Sequence, residues 1–180
     1  MGQGGLRMSV TAGNTPGAGI LLADANVLID LVKAEALHLV GDLVRHELAE
    51  VYLPRIVYDE VSEIISETQI AEMEVVILPV ERETMEKVVA YRDRRLSAAD
   101  RTLLLVAKER SYAVWSNDRR LRKNCEELSV RAYWEFEALK LLVEHDYMSA
   151  SDLISVAIRV EEMNPFLAGI CDRLRESLFI

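Results

Sequence analysis

The sequence predicts an α/β fold, three-layer α/β/α around a mainly parallel sheet, with further helices at its C-terminal end. Short apolar runs of strand length alternate with stretches of helical period between Gly19 and Tyr133, the mark of successive βαβ units. The first run, Gly19 to Ala23, is continuous rather than alternating, as a strand buried on both faces is. From Trp134 to Ile180 no strand-like run occurs. The expected layout is a flexible N-terminal segment (1–18), an α/β domain (19–133), and a helical extension packed on it (134–180).

The N-terminal segment is rich in Gly, Ser, Thr and Asn and has no periodicity. After the first strand, Val27, Leu28, Leu31 and Val32 recur at helical spacing, leaving Asp30 and Lys33 for the other face. A second helical stripe runs from Leu37 through about Glu50, and Val51 to Pro54 is a short strand closed by proline. Ile56, Val57, Val61, Ile64 and Ile65 spell another helix with Asp59, Glu60 and Glu63 on or near its polar side. Val75 to Val80 reads as a strand, and Glu81 to Arg95 as a charged helix broken at Leu96-Ser97. Ala98 to Arg110 is a helix, Tyr112 to Trp115 a strand, Arg119 to about Leu128 a basic helix, and Ser129 to Tyr133 a last strand. The tail reads as three helices: Trp134 to about His145, Ser149 to Met163, and Pro165 to Phe179. Ser149 with Asp152 spells a capping box, and Asn164-Pro165 an N-cap followed by proline at the first helical position.

At 180 residues one domain is expected, and 51% hydrophobic with 28% charged residues is ordinary for a soluble globular protein. No apolar run reaches membrane-span length, and the N-terminus lacks a signal-peptide layout, so a cytoplasmic location is expected. Cys125 and Cys171 read as reduced thiols, and His38, His46 and His145 lack zinc-site spacing. The net charge of −9 argues against broad, non-specific nucleic-acid affinity. It leaves room for a nucleic-acid enzyme whose acidic site is offset by cations and local arginines.

Candidate site residues follow from where the strands end. Asp24 closes the first strand, and Asp118 lies just past the strand ending at Trp115. Glu60 lies in the helix entered from Val51–Pro54, and Asp100 in the first turn of the helix after Ser97. In right-handed βαβ units, strand C-termini and helix N-termini meet at one sheet edge. Carboxylates gathered there repel unless some protonate or a hard divalent cation neutralises them. Each acid also has a plainer reading. Asp24 and Asp118 suit N-caps, Ser97-x-x-Asp100 is a capping box, and Glu60 is one solvated acid among several.

Taken together, the pieces resemble the PIN-domain family of metal-dependent nucleases, including VapC-like toxins. They are Leu21-Leu22-Ala23-Asp24-Ala25-Asn26, Leu53-Pro54 leading to Glu60-Val61, Leu96-Ser97-Ala98-Ala99-Asp100, and Trp115-Ser116-Asn117-Asp118-Arg119-Arg120-Leu121, in the family's order. The resemblance spans about Leu21 to Tyr133. It implies strand order 3-2-1-4-5, frequent homodimers, and one or two Mg²⁺ or Mn²⁺ ions. Asp24, Asp100 and Asp118 match the metal ligands, Glu60 a ligand or water-positioning acid, and Asn26 and Ser116 their supports. Two positions depart from the family pattern. Ala25 stands where Ser or Thr is usual, and Trp115 where a small or β-branched residue is usual.

The resemblance implies metal-assisted hydrolysis of RNA phosphodiester bonds, with a bound water as nucleophile. It also implies a possible toxin role opposed by a small antitoxin protein. Arg119 and Arg120 are candidates for substrate phosphate, against a plain reading as solvated residues paired with nearby acids. A haloacid-dehalogenase-type phosphatase also starts from an Asp at the first strand end, but it needs a second Asp where this chain has Asn26. The non-catalytic alternative is a PIN-like binding or assembly module.

Overall fold

The computed structural model describes residues 19–178, so the N-terminal segment and the last turn expected through Phe179 lie outside the described residues. Its strands are β1 (Gly19–Ala23), β2 (Ala49–Pro54), β3 (Val76–Leu78), β4 (Ala113–Trp115) and β5 (Ala132–Tyr133). They form one sheet in the order β3-β2-β1-β4-β5, and every pairing is parallel. The α/β class and the strand order are therefore those expected from the sequence.

Parallel neighbours need crossovers, and helices supply them. α1 (Ala25–Lys33) and α2 (His38–Arg45) join β1 to β2, then α3 (Arg55–Val61) and α4 (Glu67–Glu72) lead to β3. α5 (Arg82–Ala90) and α6 (Ala98–Arg110) lead to β4, and α7 (Arg119–Glu127) to β5. α8 (Glu135–Glu144), α9 (Ala150–Met163), a 3₁₀ turn (Pro165–Leu167) and α10 (Ile170–Leu178) follow. β1 lies at the centre, where Leu21, Leu22 and Ala23 are fully buried, as its continuous apolar run requires. α8 packs on α2 and β5, and α9 on α1. Leu139, Leu153 and Leu174 of this tail share one hydrophobic core with Leu21 and Leu103.

Several local readings change. Asp30 does not face outward. It is buried, and both its oxygens accept from the Asn164 side-chain amide at 3.1 Å. The stripe expected through Glu50 stops at Arg45, and the chain turns into β2 at Ala49. Glu47 makes that stop in the left-handed conformation, and the Leu48 N–H bonds back to the Leu43 carbonyl. α4 has no counterpart in the expected elements. It is nucleated by a full capping box between Ser66 and Gln69, while only Ile70 within it is buried. The Glu81–Arg95 helix ends at Ala90, and the third tail helix divides at Gly169, whose φ of 80° breaks the helical path. The Glu161 carboxylate accepts from the Gly169 and Cys171 N–H groups and so holds the start of α10. At Ser149 the hydroxyl accepts from the Asp152 N–H but donates to the Asp152 carboxylate, so only half of a capping box forms. Cys125 and Cys171 are buried free thiols.

Trp115 is fully buried between the sheet and α8, and its indole N–H donates to the Glu135 main-chain carbonyl at 3.0 Å. The large residue on β4 thus bonds to the first turn of the tail. Trp115→Val should destabilise the chain by about 3 kcal/mol, through a cavity and an orphaned carbonyl. Urea unfolding checks this through the midpoint at constant slope, and a loss below about 1 kcal/mol would contradict it.

Candidate functional site

The register pairs Ala23 with Trp115, so β1 and β4 end side by side. The next residues continue the pairing: the Asp24 N–H donates to the Trp115 carbonyl at 2.9 Å. Across this junction the buried Ser116 hydroxyl donates to Asp24 Oδ2 at 2.6 Å and accepts from the Asp118 N–H at 3.0 Å. One hydroxyl thereby ties both strand-end aspartates together.

All three plain capping readings hold. Asp24 caps α1, weakly accepting from the Asn26 N–H at 3.5 Å. Asp118 Oδ1 accepts from the Leu121 N–H at 2.7 Å and caps α7. Asp100 and Ser97 form a reciprocal capping box at the start of α6, with bonds of 2.8 and 2.9 Å. These caps do not exhaust the carboxylates. Asp100 uses Oδ2 and Asp118 uses Oδ1, and the second oxygen of each makes no hydrogen bond among the described residues.

Electrostatics links the acids. The Asp24 carboxyl is pushed up to about 6, chiefly by burial with the charges of Asp100 and Asp118 adding to it, against the Ser116 hydroxyl and the Asn26 N–H, which lower it. Glu60 is exposed on α3, and partial desolvation followed by the Asp100 charge pushes its carboxyl upward. α3 packs against α6, which accounts for the Glu60–Asp100 coupling. Asp24, Asp100 and Asp118 are thus brought together around one edge, and Glu60 joins through Asp100. Asn26 contributes its backbone N–H to Asp24, while its exposed side chain lines the adjoining cavity.

Uncompensated like charges, one of them buried, with free carboxylate oxygens form a donor set that suits a hard divalent cation. Among the described residues, no group of three or more His, Cys, Asp or Glu side chains stands together as a metal-ligand cluster.

A family model described as the PIN domain matches residues 21–127. The chain belongs to the PIN domain family. PIN domains are generally nucleases and typically use Mg²⁺ or Mn²⁺. A search of curated proteins returns no match. Among the described residues, no helix is long and apolar enough to cross a membrane.

Beside these acids lies a polar network that the sequence did not reveal. Glu135 is fully buried; its Oε2 accepts from the Asn117 side-chain amide, and its own N–H donates to Asn117 Oδ1 at 3.1 Å. Glu135 Oε1 has no partner among the described residues. Burial pushes this carboxyl up to about 8, with Asn117 lowering it and the Asp30 charge raising it. The residue directly before Asp118 is therefore fixed by the first turn of α8. A glutamate opening a helix after an aromatic residue is too common a pattern to have marked this role.

The arginines separate into two groups. Arg92 pairs with Glu127 and Arg95 with Asp93, as the plain reading expects. Among the described residues, Arg119 and Arg120 make no ion pair. The Arg120 guanidinium donates to the Arg95 carbonyl at 3.3 Å.

Asp24 gives a test independent of catalysis. The folded carboxyl titrates near 6 and the unfolded one near 3.8, so the folded state holds this proton more tightly. That stabilisation is fully present below pH 3.8 and is lost as the pH rises through 6. Above that range the buried charge costs on the order of 3 kcal/mol. Asp24→Asn keeps the cap and removes the charge. In EDTA it should raise the melting temperature by about 5 °C at pH 7.5 and leave it nearly unchanged near pH 4. Differential scanning calorimetry reads the difference, and an equal shift at both pH values would contradict it.

Proposed function

We propose that this PIN-domain protein is a metal-dependent endoribonuclease that hydrolyses RNA phosphodiester bonds at the edge formed by Asp24, Glu60, Asp100 and Asp118. The observation that carries the reading is the buried Asp24 carboxylate, tied through Ser116 to Asp118 and coupled by charge to Asp100, in a chain of this family. Asp24, Asp100 and Asp118 would hold Mg²⁺ or Mn²⁺. When bound, such an ion acidifies its water and offsets charge at the reacting phosphate.

The protein's own groups do the rest. Ser116 fixes the Asp24 carboxylate by donating to Oδ2, which leaves Oδ1 turned to the Asn26 N–H side. It also sets the main chain of Asp118 by accepting from its N–H. The α6 capping box holds one Asp100 oxygen and so limits the rotation of the other. Glu60, exposed and with its carboxyl raised, is suited to accept a proton from or orient the attacking water. Arg119 and Arg120, cations without acidic partners among the described residues, would take backbone phosphates.

The resemblance to VapC-like proteins extends the proposal to a cytoplasmic homodimeric toxin with a small antitoxin. The helices after residue 133 form an accessory layer in this reading. Growth arrest on expression, relieved by a co-expressed small partner, tests the toxin part. The chemistry is tested on a mixed RNA pool. The wild-type chain should cleave it with Mn²⁺ and stop with EDTA. Asp24→Asn and Asp118→Asn should each lower the rate by roughly 100-fold or more, and Ser116→Ala by about 10- to 100-fold through its support of Asp24. A folded wild-type chain that cleaves no RNA and binds no Mn²⁺ by calorimetry would be the binding module instead.

A further inference from the structure

A cavity of about 610 Å³ opens beside the carboxylate edge, lined by Asn26 and Asp118 and by Phe166 and Arg173 of the tail. We propose that it is a nucleotide subsite for single-stranded nucleic acid, in which Phe166 stacks on a base while Arg119, Arg120 and Arg173 take the adjoining phosphates. The inference rests on the nuclease reading and supplies the substrate contact that reading lacks.

Phe166 is 94% exposed, whereas the next residue, Leu167, is 7% exposed and anchors the 3₁₀ turn in the core. The backbone that carries the exposed ring is held in place. Pro165 fixes the backbone before it, and the Phe166 N–H donates to Asn164 Oδ1 at 3.3 Å. The Asn164 amide in turn donates to both oxygens of the buried Asp30, at 3.1 Å each. Asp30 belongs to α1, the helix that Asp24 caps. The turn that carries the ring and the acid edge are therefore both tied to α1. Trp134 lines the same cavity, but the Arg122 guanidinium lies over its ring at 3.8 Å and that of Arg173 at 5.8 Å, which leaves Phe166 as the stacking surface.

The charges suit the same occupant. Among the described residues, Arg119, Arg120 and Arg173 make no ion pair, in a chain whose net charge is −9. Arg119 and Arg120 also line a neighbouring hollow of about 630 Å³ with Lys123 and with the ion pairs Arg92–Glu127 and Arg95–Asp93. A strand stacked at Phe166 therefore has a basic path past Asp118. Aromatic rings accept any base, and guanidinium groups take phosphate oxygens, so this pairing fits an unstacked strand rather than a duplex.

The probe is a fluorescein-labelled single-stranded RNA decamer, read by anisotropy in Ca²⁺ buffer, with sedimentation velocity on each variant. Phe166→Ala should raise Kd by about tenfold and Phe166→Trp should restore it. A decamer carrying abasic positions should lose about the same factor against the wild-type chain and nothing further against Phe166→Ala. Wild-type affinity for RNA that survives Phe166→Ala unchanged overturns the subsite and leaves the nuclease reading standing. A wild-type chain that neither binds nor cleaves RNA overturns both. A Phe166→Ala chain that changes its oligomeric state and keeps its RNA affinity assigns the ring to a protein contact, and the subsite again falls.

Discussion

The parallel pairing of β1 with β4 governs the rest of the molecule. Its register brings two strands to an end at the same level, and the Asp24 N–H extends the ladder by one bond to the Trp115 carbonyl. Ser116 then places a buried hydroxyl between the two strand-end aspartates. Shifting that register by one residue would turn every side chain of β4 to the opposite face and send Ser116 away from Asp24. α1 and α7 both start from this junction, so the helices, the acids and the arginines on α7 inherit their positions from it.

The same residues serve as helix caps and as candidate ligands, and the two roles are compatible. A carboxylate has two oxygens and a cap needs one: Asp100 and Asp118 keep the other free among the described residues, while Asp24 uses its second for Ser116 and offers only remaining lone pairs. Capping restrains Asp24, Asp100 and Asp118 at the edge despite their mutual repulsion, and burial makes that repulsion strongest at Asp24. The tail adds a second restraint from outside the strands. Trp115 bonds to the Glu135 carbonyl, Asn117 to the Glu135 side chain, and Asp30 to Asn164. The large β4 residue that departs from the family pattern is thus explained by the helices that follow the matched segment.

What could be read from the sequence was what local pattern controls. Strand runs ending at Asp24 and just before Asp118 placed the sheet edge and its acids, because a strand buried on both faces has an abrupt apolar boundary. Helix ends were less legible for a physical reason. Glu35, Glu47, Glu74, Ser111, Ser129 and Asp146 take the left-handed stop conformation that glycine usually marks. Without glycines, the stripe after Leu37 reads on into β2. α4 was hidden because it buries so little of its own surface. Asp30 and Glu135 were missed because their partners are distant in the chain: Asn164 lies 134 positions from Asp30, and Asn117 lies 18 positions from Glu135. Helical periodicity sees a charged residue and assigns it to solvent; only the tertiary fold supplies a partner that makes burial tolerable.

The central claim is that the Asp24 edge is a divalent-cation site. Anomalous scattering from a crystal of the chain soaked in Mn²⁺ tests it most directly. The account predicts a manganese peak bonded to an Asp24 oxygen and to at least one of Asp100 and Asp118. A well-ordered crystal with no peak at that edge, or with manganese bound elsewhere and Asp24 free, would contradict it.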